Sequence, residues 1–87
     1  MALYNLILNK QVRKKDLPKV PTKTRRKLID TIGDLRTNPR PADSVKLTNR
    51  EEYKLRSGSY RILYVVNDRQ QLVEVRKVGH RGQVYKN

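Results

Sequence analysis

The sequence predicts a small α+β domain in which two N-terminal helices pack on one face of a mostly antiparallel four-stranded sheet, in the order β-α-α-β-β-β. Three observations predict it. Leu3 to Leu8 is apolar apart from Asn5, as in a strand buried over most of its surface. The stretch from Thr22 carries an apolar stripe at helical spacing. Residues 51–78 then read as three consecutive strands separated by turn signals. At 87 residues the chain makes one domain, spanning 1–87, with a small core.

Taken in order, Asn9 is a plausible N-cap for a short basic helix from Lys10 to Leu17. Pro18 breaks it, because proline disfavours helical geometry in the residue before it. Thr22 is a candidate N-cap for a second helix of about four turns. That helix puts Leu28, Ile29, Ile32 and Leu35 on one stripe facing the core. Its first turns hold Lys23, Arg25, Arg26 and Lys27, where the helix dipole disfavours cations. A solvated face explains this, and so does contact with phosphates. Asn38-Pro39-Arg40-Pro41 ends the helix, and a polar, basic loop from Asp43 to Arg50 follows.

Strands are expected at about 51–57, 60–67 and 71–78. Gly58-Ser59 suits a type II′ turn, with glycine at the first central position. The turn then sets Ser57 opposite Tyr60, Arg56 opposite Arg61, Leu55 opposite Ile62 and Tyr53 opposite Tyr64. Because side chains alternate faces, Lys54, Arg56 and Arg61 share one face, while Tyr53, Leu55, Ile62 and Tyr64 share the other. One face packs on the helices, and the opposite face is expected to be open and basic. Asn67-Asp68-Arg69 supplies the second turn.

Charge narrows the function. Twenty-one Lys and Arg against eight Asp and Glu give a net charge of +13, and both halves of the chain carry the excess. Such a field attracts a polyanion, either nucleic acid or an acidic protein, although a merely solubilising surface has the same sign. The absence of cysteine excludes disulfides and thiolate nucleophiles, and it suits a reducing cytoplasm. The apolar N-terminal stretch is too short to span a bilayer and has no cleavage-site pattern, so neither membrane insertion nor secretion is expected.

A single histidine and scattered carboxylates offer no converging metal ligands, and no cofactor fingerprint is present. Ser57 and Ser59 sit in a turn with no histidine assigned to them. What remains is a cationic face with groups that can move protons. RNA is cleaved without metal when its own 2′-OH attacks the adjacent phosphate. That reaction needs a base, an acid and positive charge at the phosphate. Arg61 and Arg81 suit the charge role through bidentate pairing. His80 could act as acid or base, since histidine is the side chain suited to proton transfer at neutral pH. Surrounding cations favour the phenolate of Tyr85 and the neutral amine of Lys54. Lys46, Arg50, Arg56 and Lys77 are the further cations expected to bind RNA. Each also has a plain reading: Arg56 and Arg61 as solvated strand residues, His80 as a lone surface histidine, Tyr85 as an anchor for the tail.

The residues carry a resemblance as well. Tyr53-Lys54-Leu55-Arg56, Gly58-Ser59-Tyr60-Arg61-Ile62-Leu63-Tyr64, and Val78-Gly79-His80-Arg81 with Val84-Tyr85 resemble the RelE branch of the RelE/ParE toxin superfamily. Leu17-Pro18, the second helix, its end at Asn38-Pro39 and the loop into Leu47 are similar too, so the resemblance covers essentially the whole chain. It implies a toxin of a type II toxin–antitoxin pair: a ribosome-dependent endonuclease that cuts mRNA in the A site by 2′-OH attack. It also implies neutralisation by a cognate acidic antitoxin. By position, Arg61 and Arg81 match phosphate-stabilising arginines, Tyr85 a catalytic tyrosine and Lys54 a strand lysine. His80 stands where members carry lysine or histidine.

Glu52 departs from the pattern, standing where the best-known RelE toxins have a second lysine. A carboxylate there could serve as base or weaken cleavage. The sequence ends two residues after Tyr85, short of the C-terminal helix of many members, so inhibition is expected to work by occluding the basic face. The same scaffold serves ParE-like inhibitors of DNA gyrase, and a non-catalytic ribosomal-type RNA-binding protein shares the size and charge. The Arg81–Tyr85 pair favours the RNA-cleaving branch.

Overall fold

The computed structural model describes residues 3–80. Strand β1 (Asn5–Leu8) leads through a short helical segment to helix α1 (Thr22–Asp34). Four more strands follow: β2 (Val45–Lys46), β3 (Tyr53–Ser57), β4 (Tyr60–Asn67) and β5 (Leu72–His80). They form one five-stranded sheet in the order β1-β5-β4-β3-β2. Only β1–β5 is parallel; the other pairings are antiparallel.

This is the expected α+β architecture, with one strand added at an edge. β2 lies within the stretch expected to be loop. Two residues are too few for any periodicity to show, and Leu47 N–H extends the pairing by donating to Glu52 C=O at 3.0 Å. Asn49 takes a positive φ of 59° in the turn between β2 and β3. Asparagine tolerates that region better than most residues.

The first helical segment is not the expected α-helix. It opens as α at Lys10 and Gln11, widens to one π turn, Val12–Asp16, and ends in a 3₁₀ turn, Leu17–Lys19. Pro18 has no N–H to continue an α ladder. The wide turn lets Val12, Asp16 and Leu17 all point inward, with 0%, 8% and 7% exposure. Asn9 does cap the segment: its Oδ1 accepts from Val12 N–H at 3.0 Å.

Thr22, by contrast, is the first helical residue of α1, and Pro21 takes the cap position. Leu28, Ile32 and Leu35 are buried, but Ile29 is 49% exposed. One residue advances the helix by about 100°, which carries Ile29 off the stripe that Leu28 begins.

The core lies between this helical layer and one face of the sheet. Val12, Leu17, Val20, Leu28, Ile32 and Leu35 meet Leu55, Ile62, Tyr64, Val73, Val75 and Val78. The hairpin register is the one that Gly58-Ser59 predicts, with Tyr53, Leu55, Arg56 and Ser57 opposite Tyr64, Ile62, Arg61 and Tyr60. Gly58 takes a φ of 60°, as a type II′ turn requires.

Pairing between β4 and β5 shifts at Leu63/Tyr64, so Arg76 is an extra residue bulged into β5. Bulges of this kind reset the alternation of a strand. Val73 and Val75 face the core before the bulge and Val78 faces it after.

β5 runs past the end of β1, which leaves its outer edge without a strand partner beyond Val75. Side chains of the helical segment cover it. Asn9 Nδ2 donates to Arg76 C=O at 3.0 Å, and Asp16 Oδ2 accepts from Val78 N–H at 2.9 Å. Gln11 Nε2 holds the other oxygen of Asp16 at 2.9 Å. Asp16 is thus a buried carboxylate acting in place of a strand.

Candidate functional site

The face of the sheet turned away from the helices has two unlike halves. Around Leu63 it is closed. The loop after β2 folds back so that Leu47 and Leu63, each 5% exposed, bury one another. Beside them Arg76 binds three carboxylates: Glu51 at 3.1 Å, Glu52 at 3.4 Å and Glu74 at 3.2 Å. Arg50 Nε adds a bond to Glu52 at 3.1 Å. The basic face expected from alternation is therefore confined to the end of the sheet near the Gly58-Ser59 turn.

On that end Arg61 is the central side chain. Across β3 it faces Arg56, and across β5 it faces Gly79, which has no side chain. Its Nη1 is buried and has no hydrogen-bond partner. A guanidinium nitrogen out of water without an acceptor is costly, and like charges directly opposite on a sheet repel. Lys54 lies two residues before Arg56 on β3 and shares its face by alternation. Lys77 pairs with Leu63 on the same side. The arrangement concentrates positive charge at one partly desolvated point, where an anion would be held strongly.

The other expected residues divide. Lys46 pairs with Tyr53, on the core side of the sheet, and its Nζ donates to Arg50 C=O at 2.8 Å. Arg50 is tied to Glu52. His80 pairs with Tyr60, and their rings meet edge-on with centroids 5.3 Å apart. Both border a cleft of about 280 Å³ whose other wall is Gln11, Asp16 and Lys19 of the helical layer. His80 thus lies on the side of the sheet opposite Arg61. Arg81 and Tyr85 fall outside the described residues.

Glu52, two residues before Lys54, is engaged by Arg50 and Arg76. Burial opposes its ionisation, but bonds from Arg50, from its own backbone and from Arg76 outweigh this and hold its carboxyl below the usual range. A carboxylate so stabilised takes a proton less readily.

Two features escaped the sequence reading. Asp16 carries a signal, since it stands four residues after Val12 on the inward side of its helical turn. The second is a lock that joins Tyr4 near the N-terminus, two loops and β3. Arg40 donates to both oxygens of Asp68 (3.1 and 2.9 Å) and to Tyr53 Oη (2.9 Å), while Tyr4 Oη donates to Asp68 at 2.7 Å. Tyr53 stacks on Tyr64, whose hydroxyl donates to Pro39 C=O at 2.8 Å. Nothing in the local sequence announces pairs so far apart.

Solved structures share this architecture closely. The RelE–RelB complex from Pyrococcus horikoshii matches with a TM-score of 0.82 at 28% identity, over 94% of this chain and 99% of that one. The RelBE2 toxin–antitoxin complex from Mycobacterium tuberculosis gives 0.80 at 27% identity, over 91% and 99%. The isolated RelE toxin of E. coli gives 0.77 at 25%, over 92% and 86%.

The fold is one shared with toxins of toxin–antitoxin pairs. Residues 7–85 match the model of the ParE toxin of type II toxin–antitoxin systems, parDE, and the chain belongs to that family. Within the RelE/ParE superfamily it is RelE-like. It is 34% identical to the candidate toxin RelE1 of Methanocaldococcus jannaschii over 97% of both chains.

Proposed function

We propose that the chain is a ribosome-dependent endoribonuclease that cuts mRNA in the A site through attack of the RNA's own 2′-OH, inhibiting translation. The observation that carries this reading is Arg61, with a buried, unpartnered Nη1 between Arg56 and the bare Gly79. A phosphate passing into a pentacoordinate, more highly charged state would be stabilised there by a group already desolvated and aimed. Arg81 would supply the second guanidinium and Tyr85 a proton-transfer group, with Lys54 beside Arg56 as the further candidate. Lys77 and Arg56 would hold flanking phosphates. Lys46 and Arg50, engaged elsewhere, would contribute little, and His80 lies on the other side of the sheet.

A cognate acidic antitoxin is the proposed partner. Two of the solved relatives are complexes of RelE with RelB or of RelBE2, and a polyanionic segment laid on Arg56 and Arg61 would occlude the site directly. The proposed location is the cytoplasm. No helix among the described residues is long and apolar enough to cross a membrane.

The test is primer extension on a defined message in translating ribosomes, with free RNA and an Arg61→Ala protein as controls. Cuts within the A-site codon, seen only on ribosomes and lost in the variant, are expected. An uncut message would overturn the reading. The second reading is inhibition of DNA gyrase, favoured by the ParE family match itself. A supercoiling assay distinguishes it.

A further inference from the structure

Gly79 is a glycine inside a strand with no backbone reason to be one. It pairs with Arg61 in a register that runs on to His80, so it does not sit in a turn. The bulge of β5 lies earlier, at Arg76. Of the glycines among the described residues, only Gly58 takes a positive φ. β1 ends at Leu8, beside Val75, so no strand among the described residues crowds Gly79 from the outer side. Glycine in a strand interior forgoes the stability that a packed side chain gives. The remaining reason for a bare Cα is room for something else on that face.

The room has defined walls. A side chain at 79 would stand on the Arg61 face, its Cβ about 5 Å from that of Arg61. Along β5 the next residue on the same face is Lys77, because the alternation is regular after the bulge. Lys77 pairs with Leu63, which is buried under Leu47 and closes the sheet on that side. The last side is the outer edge of β5, open beyond the end of β1. Gly79, Arg61 and Lys77 are all partly exposed, so solvent reaches this corner of the sheet.

Its chemistry selects the occupant. The carboxylates of this face gather on Arg76, and neither Arg61 nor Lys77 enters an ion pair among the described residues. The space therefore carries one sign of charge and fits a single small group. A guanidinium on one side and an ammonium on another suit a tetrahedral anion, which offers oxygens to both at once. Tyr4, Tyr53, Tyr60 and Tyr64 all pack with the core, so a nucleobase finds no described ring to stack on there.

We infer that the space over Gly79 seats one phosphate of a bound RNA strand, between Arg61 and Lys77, and that Gly79 is the positioning residue that keeps it open. That the phosphate belongs to RNA rests on the ribonuclease reading; the seat itself does not. A strand entering from the open edge of β5 would reach Arg61 without crossing the closed half of the face.

The test puts a side chain into the space. Gly79→Ala and Gly79→Val are made in the full chain, with Gly33→Ala in α1 as the comparison, where an added Cβ meets nothing within 4 Å. Inorganic phosphate, and separately acetate, is titrated into isotope-labelled protein while the Arg61 Nε–H signal is followed by NMR. Phosphate should shift that signal in wild type and in Gly33→Ala, less in Gly79→Ala, and not in Gly79→Val. Single-turnover cleavage on ribosomes at saturating protein should fall about tenfold in Gly79→Ala and about 10²-fold in Gly79→Val, the cost of a misplacement of about 1 Å. It should be unchanged in Gly33→Ala. Tm should be unchanged or higher in both alanine variants, since each replaces a glycine inside a regular element. A Tm lowered by Gly79→Ala would show that the glycine serves the backbone and would overturn the inference. An Arg61 shift that survives in Gly79→Val would overturn it too, and equal shifts with acetate would overturn the choice of phosphate. If the wild type cuts no message, the ribonuclease reading fails and the titration still decides the seat.

Discussion

Arg56 and Arg61 stand directly opposite one another across the β3–β4 hairpin, two guanidinium groups on the same face of a two-residue turn. Cross-strand pairs of like charge are disfavoured by up to about 1 kcal/mol. Replacing Arg56 by Gln should therefore raise thermal stability slightly while weakening RNA binding. Arg61→Ala should lose cleavage by about 10²–10³-fold, the usual cost of removing one donor to developing charge, with the fold retained. Melting curves and single-turnover cleavage on ribosomes measure the two effects separately. A stable Arg61→Ala protein cutting at the wild-type rate would remove Arg61 from the reaction.

Glu52 and His80 make the complementary pair. Glu52 is held by Arg50 and Arg76, and His80 lies across the sheet from Arg61. Both Glu52→Gln and His80→Ala should keep cleavage within about tenfold of wild type, well short of what loss of a general acid or base costs. A pH–rate profile is the sharper readout. If His80→Ala deleted a limb near neutrality, the histidine would be titrating in the reaction after all.

Asp16→Ala leaves Val78 N–H, on an edge that β1 does not reach, without its acceptor. A buried donor left unsatisfied costs about 1–3 kcal/mol, and each kcal/mol lowers the Tm of a domain this size by about 4–8 °C. Asp16→Asn should cost less, because an amide oxygen can still accept. Hydrogen exchange at Val78 should accelerate in the alanine variant. Unchanged protection there would show that the carboxylate is dispensable to the edge.

Bonds from Arg40 and then Tyr4 hold the Asp68 carboxyl below the usual range. Its folded pKa lies under its unfolded value, so its contribution to stability is present above about pH 4 and is lost as the pH falls through the folded value. Asp68 is 59% exposed, so the effect should be modest. The acid limb of a Tm-against-pH curve should be shallower in Asp68→Asn than in wild type. Identical limbs would mean the bond contributes nothing in solution.

How much the sequence reveals depends on where the information lies. The Gly58-Ser59 turn is local, and it fixes every pairing of β3 with β4, the Arg56–Arg61 opposition included. The stripe of α1 is equally local, apart from Ile29. What is not local is harder to read. β2 is two residues paired across a loop, and the Arg40–Asp68–Tyr4 lock joins residues far apart in the chain. The bulge at Arg76 is an instructive case. The valines at 73 and 75 predict a core face that continues to 77 and 79, which would turn His80 toward Arg61. Val78 breaks that phase. It is the one sequence signal that the alternation has been reset and that His80 belongs to the helical side.

The parallel pairing of β1 with β5 makes closure of the sheet the least local step of folding. Asn5 meets Leu72, so the first strand made must wait for the last. Until then Leu6 and Leu8 have no strand to lie beside, and closing so large a loop is slow compared with forming the β3–β4 hairpin. A folding chain would therefore form this hairpin, with Arg56 and Arg61 already opposed, before its sheet is closed.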